Sequence, residues 1–258
     1  MEEDKIQGGI DWKRQRLGKI TASEISCLMK DHKESMTDEE LAAFKAANPK
    51  SRTTTKVVPF SDATFTYLNR KVMENYLPLN SESVDAINAV NEYIEEHSIS
   101  NAAMRWGTFW EDDARNRYAE EMGYEIEQVG FIPYEKYPYL MGVSPDGLNN
   151  TENGGCEFKC PFSLEKHLQH LMYQTPQDLK DNEEEYYWQC YANMLVTGRD
   201  FWDFVSFNPY ISYSKQLKVL RLHRDENEIN LLKERIDLAV EYMRVKMQEL
   251  DNVVKIIK

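Results

Sequence analysis

Residues 137–162 read YPYLMGVSPDGLNNTENGGCEFKCPF, and their pattern decides the fold. Aromatic and β-branched residues lead into Ser144-Pro145-Asp146-Gly147, a turn signal at the end of a strand. The Asn- and Gly-rich loop NNTENGG follows, and the next strand carries Glu157 and Lys159. This is a hairpin bearing three charges. Side chains alternate along a strand, so Glu157 and Lys159 share one face while Phe158 projects to the other and joins the core. Two carboxylates and a backbone carbonyl, here that of Phe158, suit a hard divalent cation such as Mg²⁺ and leave room for water and phosphate. An ammonium two residues beyond such a glutamate orients a nucleophile and offsets charge on a phosphorane. The residue types suit phosphodiester hydrolysis. An Asp followed eleven residues later by Glu-x-Lys also arises as a surface salt bridge, so spacing alone does not decide.

Outward from the hairpin, the N-terminal half is helical. Helical patterns cover Ile10 to Leu17, ITASEISCLM with the capping-box spacing of Thr21 and Glu24, Ser61 to Leu77, Ser81 to His97, and Ala102 to Met122 before Gly123. Residues 32–59 are polar around a short helical stretch, TDEELAAFKAAN, and form the candidate mobile insertion. C-terminal to the hairpin come helices at Leu164 to Tyr173 and Glu184 to Val196, strands at Phe201 to Phe207 and Leu217 to Leu222, and a long helix from Asp225. Helices around a central group of strands, without a Gly-rich phosphate loop, favour a mixed α/β sandwich over a doubly wound nucleotide fold.

A chain of 258 residues is long enough for one sizeable core, and a single α/β domain over 1–258 is expected. With 41% hydrophobic and 29% charged residues the composition is not that of a disordered chain. No apolar run approaches membrane-spanning length and MEEDKIQGGIDW lacks a signal-peptide core, so a cytoplasmic location without membrane contact is expected. A formal charge of −13 argues against a generic nucleic-acid binder, because phosphate neutralisation supplies most non-specific affinity. Any DNA contact must be locally basic: Lys13, Arg14, Arg16 and Lys19, or Lys50, Arg52 and Lys56. The acidic run Glu183 to Glu185 is expected to face solvent.

Three flanking features strengthen the hairpin reading: Glu111 in RWGTFWEDDARNRYAEE, Gln189 in EYYWQCYANMLVTG, and Arg16 with Ser23 near the N-terminus. The segments RLGKITASE, RWGTFWEDDA, SPDG, EFKCPF and YYWQCYANMLVT resemble, in order, the motifs of lambda exonuclease and YqaJ-like viral recombinases, within the PD-(D/E)XK nuclease superfamily. The similar segments run from Trp12 to Pro209; residues 30–100 are longer than in lambda exonuclease.

The resemblance implies a restriction-endonuclease-like mixed central sheet flanked by helices. It implies that Glu111, Asp146, Glu157 and the Phe158 carbonyl organise one or two Mg²⁺ ions (Mn²⁺ substituting), that Lys159 assists the attacking water, and that Gln189 supports the site. Arg16 and Ser23 match the family's pocket for a 5′-phosphate, and Ser23 falls in the first turn of the helix expected after Thr21, where phosphate is attracted. The implied activity is 5′-to-3′ exonuclease digestion of linear double-stranded DNA to mononucleotides, leaving 3′ single-stranded overhangs for phage-type recombination. A homotrimeric ring, a phage single-strand annealing protein as partner, and a phage or prophage gene expressed in a bacterial host are implied with it. The alternatives are an endonuclease or nickase using the same metal centre, and a catalytically inactive DNA-binding or interaction protein.

Other signals carry less. Cys27, Cys156, Cys160 and Cys190 are few and irregularly spaced, so reduced, small buried residues are expected rather than disulfides or an iron–sulfur cluster. His167 and His170 stand three apart on a helix without a spaced third ligand, which reads as a surface pair. Tyr186, Tyr187, Trp188 and Tyr191 have core spacing on a helix.

Overall fold

The computed structural model describes residues 7–98 and 100–256, with side chains up to 253. The N-terminal half runs α1 (Ile10–Arg16), β1 (Ile20–Thr21), a 3-10 helix (Ala22–Met29), β2 (His32–Ser35), α2 (Asp38–Ala47), β3 (Thr55–Val58), α3 (Asp62–Glu74), α4 (Val84–His97) and α5 (Ala102–Met122). Then come β4 (Ile126–Glu127), β5 (Ile132–Pro133), β6 (Met141–Val143), β7 (Gly147–Asn149) and β8 (Gly154–Lys159). The chain ends α6 (Leu164–Met172), α7 (Pro176–Asn182), α8 (Glu184–Thr197), β9 (Phe201–Phe207), α9 (Tyr213–Gln216), β10 (Leu217–His223) and α10 (Glu226–Ile256). This is a mixed α/β fold whose sheets are flanked by helices.

The main sheet has the order β10-β9-β8-β7-β4, antiparallel except for the parallel pair β8 and β9. That pair is joined by a crossover of α6, α7 and α8, as a parallel connection requires. Every residue of β9 is buried, which explains its nearly continuous apolar sequence FWDFVSF. On one face of the sheet, Trp202 and Phe204 pack into the larger core with α8, the 3-10 helix and α10. On the other, Cys156, Phe158, Cys160, Val205 and Phe207 pack with Ala114 and Tyr118 of α5. Strand alternation therefore places Phe158 as its sequence predicts, and α5 and α8 lie on opposite sides of β8.

Several local expectations change. Gly154 and Gly155 belong to β8 rather than to the loop, because the Phe201 and Trp202 rings lie across them. The 3-10 helix replaces the expected capped α-helix: the Thr21 hydroxyl donates to Glu24 (3.2 Å) instead of capping, and Glu24 is engaged by Arg70 (2.7 Å). Residues 32–59 hold an antiparallel pair, β2 with β3, around α2, which carries the reciprocal Thr37/Glu40 capping box. Among the described residues no helix is long and apolar enough to cross a membrane.

Helix α6 reverses the expected arrangement. His167 and His170 are each 1% exposed, whereas Leu164, Leu168 and Met172 face solvent. Both Nδ1 atoms meet Ser206 Oγ of β9, at 2.9 Å and 2.7 Å. Burial lowers the His167 pKa and so favours its neutral form. Its Nε2 donates to the Lys215 carbonyl (2.8 Å), so its Nδ1 accepts the Ser206 hydroxyl proton. His170 then donates to Ser206 through Nδ1 and faces Glu183 Oε1 with Nε2 (2.8 Å). Glu183 is thus buried rather than solvated, and Lys166 and Tyr173 also bind it.

A Cβ on Gly155 would stand 2.2 Å from the Trp202 ring. Gly155→Ala is expected to destabilise the fold by about 1–3 kcal/mol through overpacking, read as a lower urea midpoint.

Candidate active site

Pairing between β7 and β8 ends at Gly147 opposite Cys156, so the next β8 residue facing that edge, Phe158, has no strand partner there. Its N–H donates instead to Asp146 Oδ2 (2.8 Å). The N–H and C=O of a strand residue point to the same edge, so the Phe158 carbonyl also turns toward Asp146.

Glu157 is 1% exposed and accepts from three side chains. Its Oε1 takes Lys159 Nζ and Gln189 Nε2, each at 2.6 Å, and its Oε2 takes Asn193 Nδ2 at 3.3 Å. Gln189 and Asn193 lie one turn apart on α8, whose residues 187–195 are all buried. Sequence reasoning missed Asn193; an amide four residues from Gln189 on an otherwise apolar helix is the signal that marks it. Lys159 also lies over the Tyr186 ring (4.5 Å). Burial opposes the Lys159 charge, but Glu157 and Asp146 outweigh it and raise its pKa, which favours the ammonium form.

From the other side of the sheet, α5 brings Glu111, whose Oε1 accepts from Arg115 Nη2 at 2.6 Å. Arg115 also donates to Asp112 (2.5 Å) and, through Nε, to the Asp146 carbonyl (3.3 Å), and it sits over the Phe158 ring (5.7 Å). One guanidinium therefore joins the α5 acid to the turn and strand of the hairpin; sequence alone does not reveal this because the contacts span α5 and residues 146–158. Burial, followed by repulsion from Glu157 and Glu111, pushes the Asp146 carboxyl well above the usual range. Burial also raises Glu111, with Arg115 pulling against it.

Hard oxygen donors that crowd and repel one another suit a hard divalent cation, and Asp146, Glu157, Glu111 and the Phe158 carbonyl supply them. Among the described residues no three His, Cys, Asp or Glu side chains are grouped so that they could hold a metal ion as they stand. Glu111 and Glu157 are held by Arg115 and Lys159 instead.

A second polar cluster adjoins the first. Gly18, at φ +71°, turns the chain from α1 into β1, with Glu74 and Asn75 bound to its backbone. Arg16 thereby reaches Ser23 Oγ (2.9 Å), Ser144 Oγ (3.3 Å) and Thr21 Oγ1 (3.4 Å), and stacks on Trp12 at 4.4 Å. Burial lowers its pKa against the attraction of Glu24, Glu157 and Asp146. Ser144, two residues before Asp146 and also bound by Trp12 Nε1 (2.9 Å), was not singled out from sequence. Three hydroxyls around a guanidinium suit a phosphate dianion. Ser23 stands in a 3-10 helix without a side-chain cap, so the side chains carry this argument rather than an α-helix dipole.

All four cysteines are free. Tyr187, Trp188 and Tyr191 are core residues, as their spacing predicts.

The sequence profile of the YqaJ-like viral recombinase domain matches residues 11–200. Among solved structures, the chain is similar to an alkaline exonuclease (LHK-Exo) from Laribacter hongkongensis, with 23% identity, a TM-score of 0.66, and coverage of 96% of this chain and 99% of that one. The complex of LHK-Exo with dAMP gives 24% identity, the same TM-score of 0.66 and the same coverage of 96% and 99%. A phage-related exonuclease from Haemophilus somnus 129PT gives 15%, a TM-score of 0.58, and coverage of 90% and 96%. No curated protein matches the chain.

Burial pushes the Cys27 and Cys160 thiols up to about 12 and the Cys156 and Cys190 thiols well above their usual value. The thiolate is the reactive form, so at pH 8 an aromatic disulfide reagent is expected to leave buried Cys156, Cys160 and Cys190 unmodified in the native protein, with half-buried Cys27 the first to react, and to titrate four in denaturant. Rapid native labelling of Cys156, Cys160 or Cys190 would contradict their burial.

Proposed function

The chain belongs to the YqaJ-like viral recombinase domain family, a family of nucleases, and on that premise we propose that it is a Mg²⁺-dependent 5′-to-3′ exonuclease on linear double-stranded DNA. The observation that carries this reading is the meeting of Asp146, Glu157 and Lys159 from one hairpin with Glu111 and Gln189 from helices on opposite sheet faces. The alkaline exonuclease named for the Laribacter fold, and dAMP in one of its structures, accord with release of mononucleotides.

Asp146, Glu157, Glu111 and the Phe158 carbonyl would hold the cation, with Mn²⁺ able to replace Mg²⁺. When bound, the cation supplies Lewis acidity to the scissile phosphate and a more acidic water. Lys159, kept cationic, orients the attacking oxygen and offsets the charge that grows on the phosphate. Gln189 and Asn193 fix the Glu157 carboxylate, and Arg115 fixes Glu111 and the Asp146 turn. Arg16, with Ser23 and Ser144, receives the 5′-phosphate of the strand end, which gives the reaction its direction. The remaining 3′ single strand would pass to a phage annealing protein. A homotrimeric ring would set basic residues toward the DNA and acidic ones outward, reconciling the charge of −13 with this substrate. The setting is a phage or prophage gene acting in bacterial cytoplasm.

Lys159→Ala and Asp146→Ala are each expected to slow digestion of end-labelled linear DNA by on the order of 100-fold or more, and chelation to stop it. Unchanged digestion by either variant overturns the site. Arg16→Ala is expected to reduce the preference for a 5′-phosphate over a 5′-hydroxyl by about tenfold or more, the size of a charge-assisted hydrogen bond. Equal cutting of supercoiled circles would replace this reading with an endonuclease.

A further inference from the structure

Five aromatic rings gather where α5 meets the segments that follow β8 and β9. Trp106 of α5 is stacked with Tyr210 (centroids 5.5 Å apart, planes at 30°) and meets Phe162 edge-on at 5.5 Å. Trp110 lies 5.7 Å from Trp106 and 6.0 Å from Tyr210, and Phe109 meets it edge-on at 5.0 Å. Two of the rings follow the C-terminal ends of the parallel strands: Phe162 comes three residues after Lys159, and Tyr210 three after the end of β9. Asn208 ties these segments together, donating to the Pro161 carbonyl (3.2 Å) and accepting from the Tyr210 N–H (3.1 Å). The outer rings are open to solvent, Phe109 at 71%, Phe162 at 59% and Tyr210 at 72%. The indole N–H groups of Trp106 and Trp110 are buried with no hydrogen-bond partner among the described residues.

Exposed aromatic area of this extent is costly in water and marks a binding surface. Its position names the occupant. Trp106 and Trp110 pack against the layer that holds Phe158 and Cys160, the residues interleaved with Glu157 and Lys159 on the same strand, so bases flanking a phosphate seated at Asp146, Glu157 and Lys159 come within reach of these rings. Asp113, exposed on the same helix, repels phosphates, which leaves base faces as the part of the strand this surface can take.

We propose that Phe109, Phe162 and Tyr210, supported by Trp106 and Trp110, form a stacking platform for unpaired nucleobases flanking the reacting phosphate. The proposal deepens the nuclease reading and rests on it for the position of the strand. Stacking on a ring accepts every base, as an enzyme that digests any sequence requires.

The test uses the full chain in chelator, so that no substrate is consumed, and two labelled duplexes: one with a frayed 5′ end of three unpaired thymidines, one with three abasic sites there. Fluorescence anisotropy is expected to show wild type binding the thymidine end on the order of tenfold more tightly, with quenching of tryptophan emission. Phe109→Ala/Tyr210→Ala should bind both ends alike with unchanged circular dichroism, and Phe109→Trp/Tyr210→Phe should retain the preference. Equal wild-type binding of both ends overturns the platform. So does a preference retained by Phe109→Leu/Tyr210→Leu, which keeps apolar area without a ring. A change of oligomeric mass in the alanine variant with the preference intact assigns the rings to a subunit contact and also overturns it. Mg²⁺-dependent digestion by the same wild-type preparation separates the two readings. Digestion without base preference removes the platform and leaves the nuclease; base preference without digestion supports the platform and removes the nuclease.

Discussion

Glu157 is a carboxylate taken out of water, and the structure around β8 follows from the need to satisfy it. An unpaired buried charge costs several kcal/mol, so each oxygen must find donors. Lys159 provides one from the same strand face, and α8 provides two more through Gln189 and Asn193. That requirement fixes the rotation of α8 about its axis, because only one face of the helix carries both amides. Fixing α8 also fixes the aromatic residues that fill the larger core around it.

The other face of β8 is governed by Arg115. Its guanidinium lies over Phe158 while bonding Glu111 and the Asp146 carbonyl, so the apolar layer beneath the strand and the acids at its end are joined by one side chain. Two layers of packing thus converge on a few residues of one strand. Cys156, Phe158 and Cys160 point into the smaller core, and Glu157 and Lys159 point toward α8.

What the sequence revealed divides along the same physical line. Alternation along GCEFKC separates chemical from structural side chains because a period of two is a property of any strand. The helices α5 and α8 are legible from their periodicity, and Gly123 marks the end of α5; it is left-handed in the structure, as is Gly198 after α8. Contacts made across elements were not legible: Arg115 with the Asp146 carbonyl, Asn193 with Glu157, and Ser144 with Arg16 each depend on tertiary placement. The two-residue strand β1 carries too few residues to show a period, and α7, with Thr175, Pro176 and Asp178 at its start, hid within a polar stretch. The burial of His167, His170 and Glu183 is not legible in their polarity, because it is compensated by hydrogen bonds to Ser206 and to one another that only the folded chain assembles.

That last network has a consequence for how one helix finds its place. A stripe of leucines can slide along an apolar surface with small changes in energy, but two imidazoles, one hydroxyl and one carboxylate match in a single arrangement. Helix α6 is therefore indexed against β9 like a key with fixed teeth. Ser206 stands in register with Lys159. The same indexing therefore locates the end of β8, and the chain leaves Lys159 along one fixed path.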